Sequence, residues 1–284
     1  MNAVDPQYVT GEIEGLSNAD YHQLEHYSRS DVVMALRSPA HLEASRKAPS
    51  RVTPAMRVGS AVHSLVLTPD IYGDEYVTQP EGINRRTKAG REEYDAWSEE
   101  NAGKTILEAP EAELARNVAR AVLASPAAKL LLDDEGKRET SYLWVDKRTG
   151  LPMKCRPDLW IPGRKLVVDL KTARDARPDA FGKAVFEHRY DVQAALYLDG
   201  VNATMGEGTV EHFAFLAVEK EPPYGVLVGT LDSEDLERGR DSYMRGQNRI
   251  AWCKEHQRWP GYASKFHRLT MPGWARKRID EGNA

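Results

Sequence analysis

The sequence predicts an α/β fold in which a central mixed sheet is flanked by helices and preceded by an N-terminal helical region. Apolar positions recur at helical spacing up to about residue 130, whereas β-rich segments and turn signals alternate after Thr140. Helical patterns then separate the first strands from the last ones. A chain of 284 residues that is 41% hydrophobic can bury the core of one elaborated domain. We therefore expect a single domain over 1–284, with a helical cover over about 1–130, an α/β core over about 135–260 and a basic tail over 261–284.

The helical cover is predicted from capping residues and apolar spacing. Ser30 is placed to cap a helix over Asp31–Leu36, and Pro54 precedes an apolar helix over Ala55–Leu67. The segment Glu111–Leu123 also has helical spacing. Together these segments predict a layer of helices that covers one side of the core.

The first strands of the core follow the change of period. Thr140–Val145 is rich in β-formers, Asp146–Gly150 has the composition of a turn, and Leu151–Ile161 is predicted to be the returning strand. After a Pro-Gly break, Leu166–Val168 is a short apolar run that is typical of a strand buried on both faces. These segments predict a meander of three strands.

A helical crossover and a second set of strands complete the core. Phe181–Glu187 and Tyr190–Tyr197 are predicted to be two helices that separate near Arg189. Ser233 is placed to cap a long closing helix. Two further strands are predicted between these helical segments, at Glu211–Val218 and Tyr224–Leu231.

Composition excludes several classes of protein. No apolar run approaches the roughly 20 residues of a membrane span, so no membrane association is expected. Met1 to Glu14 has neither a basic start nor an apolar stretch, so we expect no secretory signal and a cytoplasmic location. The two cysteines, Cys155 and Cys253, are too few for a disulfide framework or a four-cysteine metal site.

Charge is distributed in local clusters rather than in a global basic field. The net charge of −4 argues against a protein that coats nucleic acid by charge alone. Either solvated helix faces or a groove that follows phosphates would produce such clusters. The clusters comprise Arg46, Lys47, Arg51 and Arg57; Arg85, Arg86, Lys88 and Arg91; and Arg276, Lys277 and Arg278.

One constellation carries chemistry. The pattern acid, any residue, lysine occurs at Glu135-Gly136-Lys137 and Asp169-Leu170-Lys171, and chance alone explains two matches. Only Asp169 ends an apolar strand, one hairpin after Asp158. On paired strands the two carboxylates would repel unless a cation or a proton intervenes, and Mg²⁺ accepts such hard oxygen ligands. The carbonyl of Leu170 could be a further ligand, and Lys171 would lie on the same strand face as Asp169, beside a phosphate.

The same residues also have a purely structural interpretation. Asp169 and Lys171 could form a surface salt bridge while Asp158 caps a turn. A phosphate-loop interpretation of Gly103-Lys104-Thr105 is rejected, because Ser98 stands where the opening glycine is required.

An ordered set of motifs resembles the exonuclease domain of RecE-type phage recombination proteins (exonuclease VIII). These belong to the PD-(D/E)xK superfamily, which has a restriction-endonuclease-like core. The resemblance covers nearly the whole chain. Its motifs are Gly15 to His22, Gly59 to His63, Asn84 to Thr87, Cys155 to Asp158, Asp169 to Thr172, Tyr190 to Gln193, and Trp274-Ala275.

The resemblance implies roles for individual residues. Asp158 and Asp169 would bind metal, Lys171 would be the catalytic lysine, and His63 would approach the metal from the helical cover. A histidine that ends an apolar helix can equally be a core residue, and imidazole is not a favoured Mg²⁺ ligand. Gln193 and Tyr197, four residues apart on one helix face, match the motif that supports the site and contacts DNA, although a packing seam has the same spacing. Glu139 matches the family's earlier acidic position, and a solvated carboxylate is the alternative there.

The resemblance also implies an activity. The implied activity is that of a Mg²⁺-dependent (or Mn²⁺-dependent) exonuclease, which would digest one strand of duplex DNA from its 5′ end and leave a 3′ overhang for an annealing protein. The expected form is a homotetrameric ring in the cytoplasm of a bacterium that hosts the phage or prophage. Nucleases of this fold that carry an iron-sulfur cluster are excluded by the cysteine count. A site-specific endonuclease and a catalytically silent DNA-binding or assembly module are the remaining alternatives.

Overall fold

A computed structural model describes residues 8–48, 52–262 and 266–282. Arg51 and the first seven residues of the N-terminal segment therefore lie outside the described part. The N-terminal region is mainly helical, as predicted. Its elements are β1 (Gly11–Ile13), α1 (Asn18–Gln23), α2 (Arg29–Arg37), α3 (Pro39–Lys47), α4 (Pro54–Leu67), α5 (Tyr72–Glu75), β2 (Tyr76–Thr78), α6 (Lys88–Glu100), β3 (Thr105–Leu107), α7 (Ala109–Ala124) and α8 (Pro126–Leu132).

The second region contains the core strands and their crossover helices. The prediction of a mixed α/β sheet with flanking helices is confirmed. Its elements are β4 (Lys137–Arg138), β5 (Ser141–Val145), β6 (Pro152–Cys155), β7 (Leu159–Ile161), β8 (Leu166–Ala173), α9 (Pro178–His188), α10 (Tyr190–Met205), β9 (His212–Glu219), β10 (Val226–Thr230), α11 (Ser233–His256) and α12 (Gly273–Asp280).

The central sheet has five strands in the order β10, β9, β8, β7, β4. Only β8 and β9 are parallel, since α9 and α10 form the crossover between them, and the other neighbours are antiparallel. A separate antiparallel sheet joins β1, β5 and β6, and β2 pairs in parallel with β3. The N-terminal strand β1 thus belongs to the core through its pairing with β5, which local sequence patterns did not predict.

Each face of the central sheet packs against its own group of helices. Along β8, Val167 lies in the hydrophobic cluster that includes α10, whereas Val168 and Leu170 lie in the cluster of α4 and α7. This alternation follows the two-residue period of a strand. Asp169 and Lys171 therefore share the α10 side with Val167, while α4 approaches from the opposite face.

A glycine lets α10 approach the smaller sheet closely. A Cβ atom on Gly200 would lie 2.5 Å from the Trp144 ring and 3.0 Å from Cys155 Sγ. Any side chain at this position would push α10 outward, away from β5 and β6. The close approach holds the crossover helix against the core.

Three predicted elements are corrected. Leu151–Ile161 is not one strand, because Arg156-Pro157-Asp158 separates β6, in the smaller sheet, from β7, in the central sheet. Pro157 has no N–H to donate to a ladder, which favours the break. The N-cap of α2 is Ser28 rather than Ser30, since Ser28 and Asp31 form a capping box. The N-cap of α11 is Asp232, which accepts from Glu234 N at 2.8 Å, rather than Ser233.

Candidate metal centre

Asp158 and Asp169 meet because β7 and β8 are antiparallel neighbours. The register pairs Leu159 with Val168, so the residue before β7 lies opposite Asp169. Leu170 N donates a hydrogen bond of 2.6 Å to Asp158 Oδ2 across this pair. Both aspartates are buried, with 8% of Asp158 and 1% of Asp169 exposed. The sheet therefore holds two carboxylates next to each other in a recess.

His63 and Glu139 bring two more possible ligands to Asp158. His63 Nδ1 lies 3.5 Å from Asp158 Oδ2 and 4.0 Å from Glu139 Oε1. One ligand atom from each of the three residues falls within 4.8 Å of the others. Glu139 takes the left-handed conformation with φ of 50°, and its N–H donates to Asp158 O at 3.1 Å. The α4 helix and the segment before β5 thus converge on Asp158 from outside the sheet.

Asp169 lies beside this cluster and has its own partners. Gln193 Nε2, on α10, donates a hydrogen bond of 2.6 Å to Asp169 Oδ1. The Lys171 ammonium contacts Asp169 Oδ2 and lies 5.0 Å from the centre of the Tyr190 ring. The predicted same-face placement of Asp169 and Lys171 is therefore present. The salt bridge of the structural alternative is present too, but it is buried rather than on the surface.

Burial and neighbouring charges shift the pKa values of the acidic residues in the cluster. Burial raises the pKa of Asp169 to about 6 and that of Glu139 to about 7, and the negative charge of Asp158 adds to both increases. For Asp158, burial is outweighed by His63 and Lys171, so its pKa lies below the ordinary value. The same attraction to Asp158 outweighs burial at His63 and raises the pKa of its imidazole to about 9.

The residues present fit a hard divalent cation. Three carboxylates (Glu139, Asp158 and Asp169) lie near His63 and Lys171, and Arg156 acts on Glu139 from further away. Within the described residues no hydrogen bond is donated to the Glu139 carboxylate, and Asp169 Oδ2 is buried with only the lysine ammonium in contact. Carboxylate oxygens that lack donors in a buried site are costly unless a cation or protons satisfy them. Carboxylate oxygens are the ligands that Mg²⁺ and Mn²⁺ prefer.

The remaining predicted site residues occupy the edges of this arrangement. The backbone of Leu170 lies against Asp158, as its hydrogen bond shows. The Tyr197 ring packs 6.5 Å from the Phe213 ring, and burial, followed by the charges of nearby groups that include Asp169, raises the pKa of its phenol. The alternative for Gln193 and Tyr197 was a packing seam. The contact with Phe213 shows that Tyr197 takes part in such packing, whereas Gln193 donates its amide to Asp169.

Sequence reasoning did not assign roles to several neighbours of the site. Tyr190 was part of a motif, but only the structure shows its ring beneath Lys171. Arg29 lies 5.7 Å from the centre of the same ring and donates to His188 O. Arg156 anchors the turn before Asp158 through Ser141 Oγ at 2.9 Å and Leu16 O at 2.9 Å. No local signal identifies such contacts, because each joins segments that are distant in sequence.

The second acid-x-lysine tripeptide has a structural role. Lys137 forms ion pairs of 2.8 Å with Glu12 and 2.8 Å with Glu14, which attach the region of β1 to β4. It is therefore part of a different cluster from Asp169 and Lys171, as its polar context predicted.

A family model and two solved structures are similar to this chain. The family model described as a PDDEXK-like domain of unknown function (DUF3799) matches residues 28–270. The chain is similar to a crystal structure titled "putative exonuclease" from Eubacterium rectale, with a TM-score of 0.60, 14% identity, and coverage of 90% of this chain and 95% of that one. It is also similar to a phage related exonuclease from Haemophilus somnus, with a TM-score of 0.36, 15% identity, and coverage of 82% and 96%. No curated protein matches the chain.

Within the described residues no helix is long and apolar enough to cross a membrane.

The family match spans most of the chain and includes the positions of Asp158, Asp169 and Lys171. The E. rectale structure shares the fold over most of both chains. The chain therefore belongs to the PDDEXK-like family DUF3799 and has the fold of the PD-(D/E)xK superfamily.

Proposed function

We propose that the protein is a metal-dependent nuclease that hydrolyses phosphodiester bonds of DNA. The observation that carries this proposal is the pair of buried carboxylates Asp158 and Asp169 on adjacent strands, with Lys171 on the same face as Asp169 and a carboxylate oxygen of Asp169 that lacks a hydrogen-bond donor. A structural ion pair needs no second buried carboxylate beside it, whereas a cation site that receives phosphate does.

The proposed cofactor is Mg²⁺, with Mn²⁺ as the alternative. Asp158, Asp169, His63 and the carbonyl of Leu170 would hold the ion, and Glu139 lies within reach of the same position. When bound, such an ion lowers the pKa of water and neutralises negative charge on a phosphate. His63 is the least usual of these ligands for Mg²⁺, and it favours the softer Mn²⁺ over Mg²⁺ if it binds directly.

The chain itself supplies positioning and charge. The Lys171 ammonium is positively charged, since Asp169 and Asp158 outweigh burial and raise its pKa, so it can stabilise charge that develops on the attacked phosphate. The Tyr190 ring limits where this ammonium can lie. Gln193 orients the Asp169 carboxylate by its hydrogen bond, and Tyr197 packs beside that helix face. These residues form the proposed catalytic set together with Glu139.

A more specific activity is supported by the ordered motifs and by the name of the structural neighbour with the same fold. The proposed reaction is processive digestion of duplex DNA ends in the 5′ to 3′ direction, which leaves 3′ overhangs for an annealing protein during recombination. The proposed assembly is a ring of four chains, in the cytoplasm of a bacterium that hosts the phage or prophage. The motif resemblance supports these features, and the E. rectale protein bears the name "putative exonuclease".

The test compares linear with covalently closed duplex DNA in the presence of Mg²⁺. The parent protein is run beside Asp169→Ala and Lys171→Ala, with an EDTA control, and duplexes labelled at the 5′ or 3′ end report polarity. We expect digestion of linear DNA alone, early release of the 5′ label, and no digestion by either variant. Cleavage of closed circles would replace the exonuclease with an endonuclease. Binding of DNA without any cleavage would indicate a silent DNA-binding module.

A further inference from the structure

A projecting arm lies between β2 and β3. It comprises residues 79–104 and includes the helix α6, in which Gly90 alone is buried. The arm is rooted in the parallel pair of β2 and β3, and Lys104 Nζ donates to Gly73 O at 2.7 Å to close its base. A helix with so little buried surface contributes little to the core, so its position calls for another explanation.

The tip of the arm carries an unusual group of cations. We call Arg85, Arg86, Lys88 and Arg91 the basic tip, and all four are exposed. Among the described residues no carboxylate lies within ion-pair distance of Arg85, Arg86 or Arg91, and Lys88 has only a loose contact of 3.7 Å with Glu92.

Many other exposed cations of the chain contact a carboxylate. Ion pairs join Lys47 to Glu43, Lys165 to Glu211, Arg177 to Asp175 and Arg238 to Glu234. Arg85, Arg86 and Arg91 of the basic tip thus lie close together without a carboxylate partner among the described residues, on a chain whose net charge is −4. A partner of opposite charge would complement them.

Hydrogen bonds and a close backbone approach close the turn that presents the basic tip. Thr87 Oγ1 donates to Asn84 O at 3.0 Å and accepts from Gly90 N at 3.1 Å. A Cβ atom on Gly90 would lie 2.2 Å from Asn84 O, so only glycine allows the turn to close against the helix. Arg85 is stacked on Tyr94, with its guanidinium carbon 4.0 Å from the ring centre. The backbone that carries the cations and the guanidinium of Arg85 are thus held in place before any partner binds, which lowers the entropic cost of binding.

The root of the arm lies against the metal centre. Ser64, the neighbour of His63 on α4, donates to Glu75 Oε2 at 2.9 Å, directly before β2. Burial, followed by acidic groups that include Glu139, raises the pKa of Tyr76 to about 12, which places the first residue of β2 in the field of the cluster. The β3 strand also packs on α4. The arm therefore extends outward from the wall of the proposed active site.

We propose that the basic tip binds the phosphate backbone of the duplex whose scissile phosphate lies at the metal centre. This inference rests on the proposed function for its substrate and adds a second contact region. Duplex DNA presents one negative charge per roughly 1.7 Å of its axis, a density that matches several cations held on one turn. Arginine also binds phosphate oxygens through two parallel hydrogen bonds. The contact follows phosphates and reads no bases.

The test measures binding of a fluorescein-labelled duplex by anisotropy, in EDTA, over a range of salt concentrations. The variant Arg85→Ala/Arg86→Ala/Arg91→Ala is compared with the parent and with Arg120→Ala/Lys129→Ala/Lys147→Ala, which removes three exposed cations elsewhere. We expect the arm variant to reduce the slope of log K against log salt by about 2 to 3, since each phosphate that is no longer neutralised lowers it by about 0.9. The matched control and Arg85→Lys/Arg86→Lys/Arg91→Lys should keep the parental slope.

An arm variant with the parental slope, or a control variant whose slope falls as much as that of the arm variant, would overturn the proposal. A changed molar mass in light scattering with an unchanged slope would assign the arm to contacts between copies of the chain instead. Because binding is measured without metal, the result is separate from cleavage. A reduced slope in a protein that digests no DNA would support the arm and reject the nuclease, whereas an unchanged slope in an active nuclease would do the reverse.

Discussion

The two sides of α10 carry two polar clusters that differ in how their carboxylates are satisfied. On one side, Asp199 accepts hydrogen bonds from Arg240 Nε at 2.9 Å and Nη2 at 2.8 Å, and from the Tyr243 hydroxyl. Arg240 also pairs with the exposed Glu237, so both carboxylates have donors within the chain. On the other side, Gln193 reaches Asp169, which lies beside the cluster of His63, Glu139 and Asp158. Within the described residues the Glu139 carboxylate accepts no hydrogen bond, and Asp169 Oδ2 contacts only the lysine ammonium.

This difference separates a structural cluster from a candidate functional one. A carboxylate matched by a guanidinium within the chain stabilises the fold and has no need of a ligand. Several buried carboxylates that repel one another and lack donors destabilise the metal-free fold, and they persist where they bind something. The comparison therefore predicts opposite effects of equivalent substitutions in the two clusters.

The largest contrast is expected between Asp169→Asn and Asp199→Asn. Asp169→Asn should lower the nuclease rate by about 10²-fold to 10³-fold or more and leave the metal-free protein no less stable, because it removes a charge that repels Asp158. Asp199→Asn should keep the rate and lower the free energy of unfolding by about 1.5–3 kcal/mol, because a charged hydrogen-bond acceptor is removed. Digestion of linear duplex and urea unfolding in EDTA measure the two effects. Loss of activity with unchanged stability in Asp199→Asn would contradict the comparison.

A second contrast separates the two cations. Lys171→Met should lower the single-turnover rate by about 10²-fold to 10³-fold, because it removes the ammonium that stabilises negative charge on the attacked phosphate. Mn²⁺ binding, measured by calorimetry, should not weaken. Arg240→Met should leave the rate unchanged and reduce stability. A parental rate in Lys171→Met would show that the lysine serves only as the partner of Asp169.

A smaller effect is expected from Gln193→Ala, because glutamine positions a carboxylate rather than contacting substrate. Loss of such a partner usually lowers metal affinity or activity by about 10-fold to 100-fold. Gln247→Ala is the matched control, since Gln247 is equally buried and accepts from Arg148 at 2.8 Å, away from the metal centre. The control should lose stability and keep its Mn²⁺ affinity. Equal Mn²⁺ affinities in the two variants would remove Gln193 from the site.

The smallest effect is a pH dependence of stability without metal. The pKa of Asp169 in the folded protein is raised from 3.8 to about 6, so between these values the folded state holds a proton that the unfolded state has lost. The contribution of Asp169 to the free energy of unfolding therefore decreases as pH rises from about 4 to about 6. The stability of Asp169→Asn relative to the parent should rise over this range and level off above it, in urea titrations with EDTA. A constant difference would show that Asp169 is not destabilised by its surroundings.

Local patterns were enough to predict which residues meet at the centre of the candidate site. The hairpin of β7 and β8 and the two-residue period of strands place Asp158, Asp169 and Lys171 together, and both arguments need only nearby residues. The same holds for the apolar helix that carries His63, which was predicted over Ala55–Leu67 and spans Pro54–Leu67.

The features that were missed depend on distant segments. The switch from the smaller sheet to the central sheet at Pro157 follows from the pairing of β5 with β1 and β6, which no local pattern shows. Charge pairing is equally non-local: Arg57 contacts Glu111 at 2.6 Å, while Arg85, Arg86 and Arg91 have no carboxylate within ion-pair distance among the described residues. The basic clusters looked alike in the sequence. Only the fold distinguishes Arg46, Lys47 and Arg57, which form ion pairs, from the three arginines of the basic tip.

Calorimetric titration of the metal-free protein with Mn²⁺ tests the central claim most directly, because it measures whether the carboxylates of Asp158, Asp169 and Glu139 form a cation site. The parent and Asp199→Asn should bind Mn²⁺ with the same affinity, and Asp158→Asn should bind it far more weakly. Asp158→Asn that binds Mn²⁺ as tightly as the parent would contradict the account.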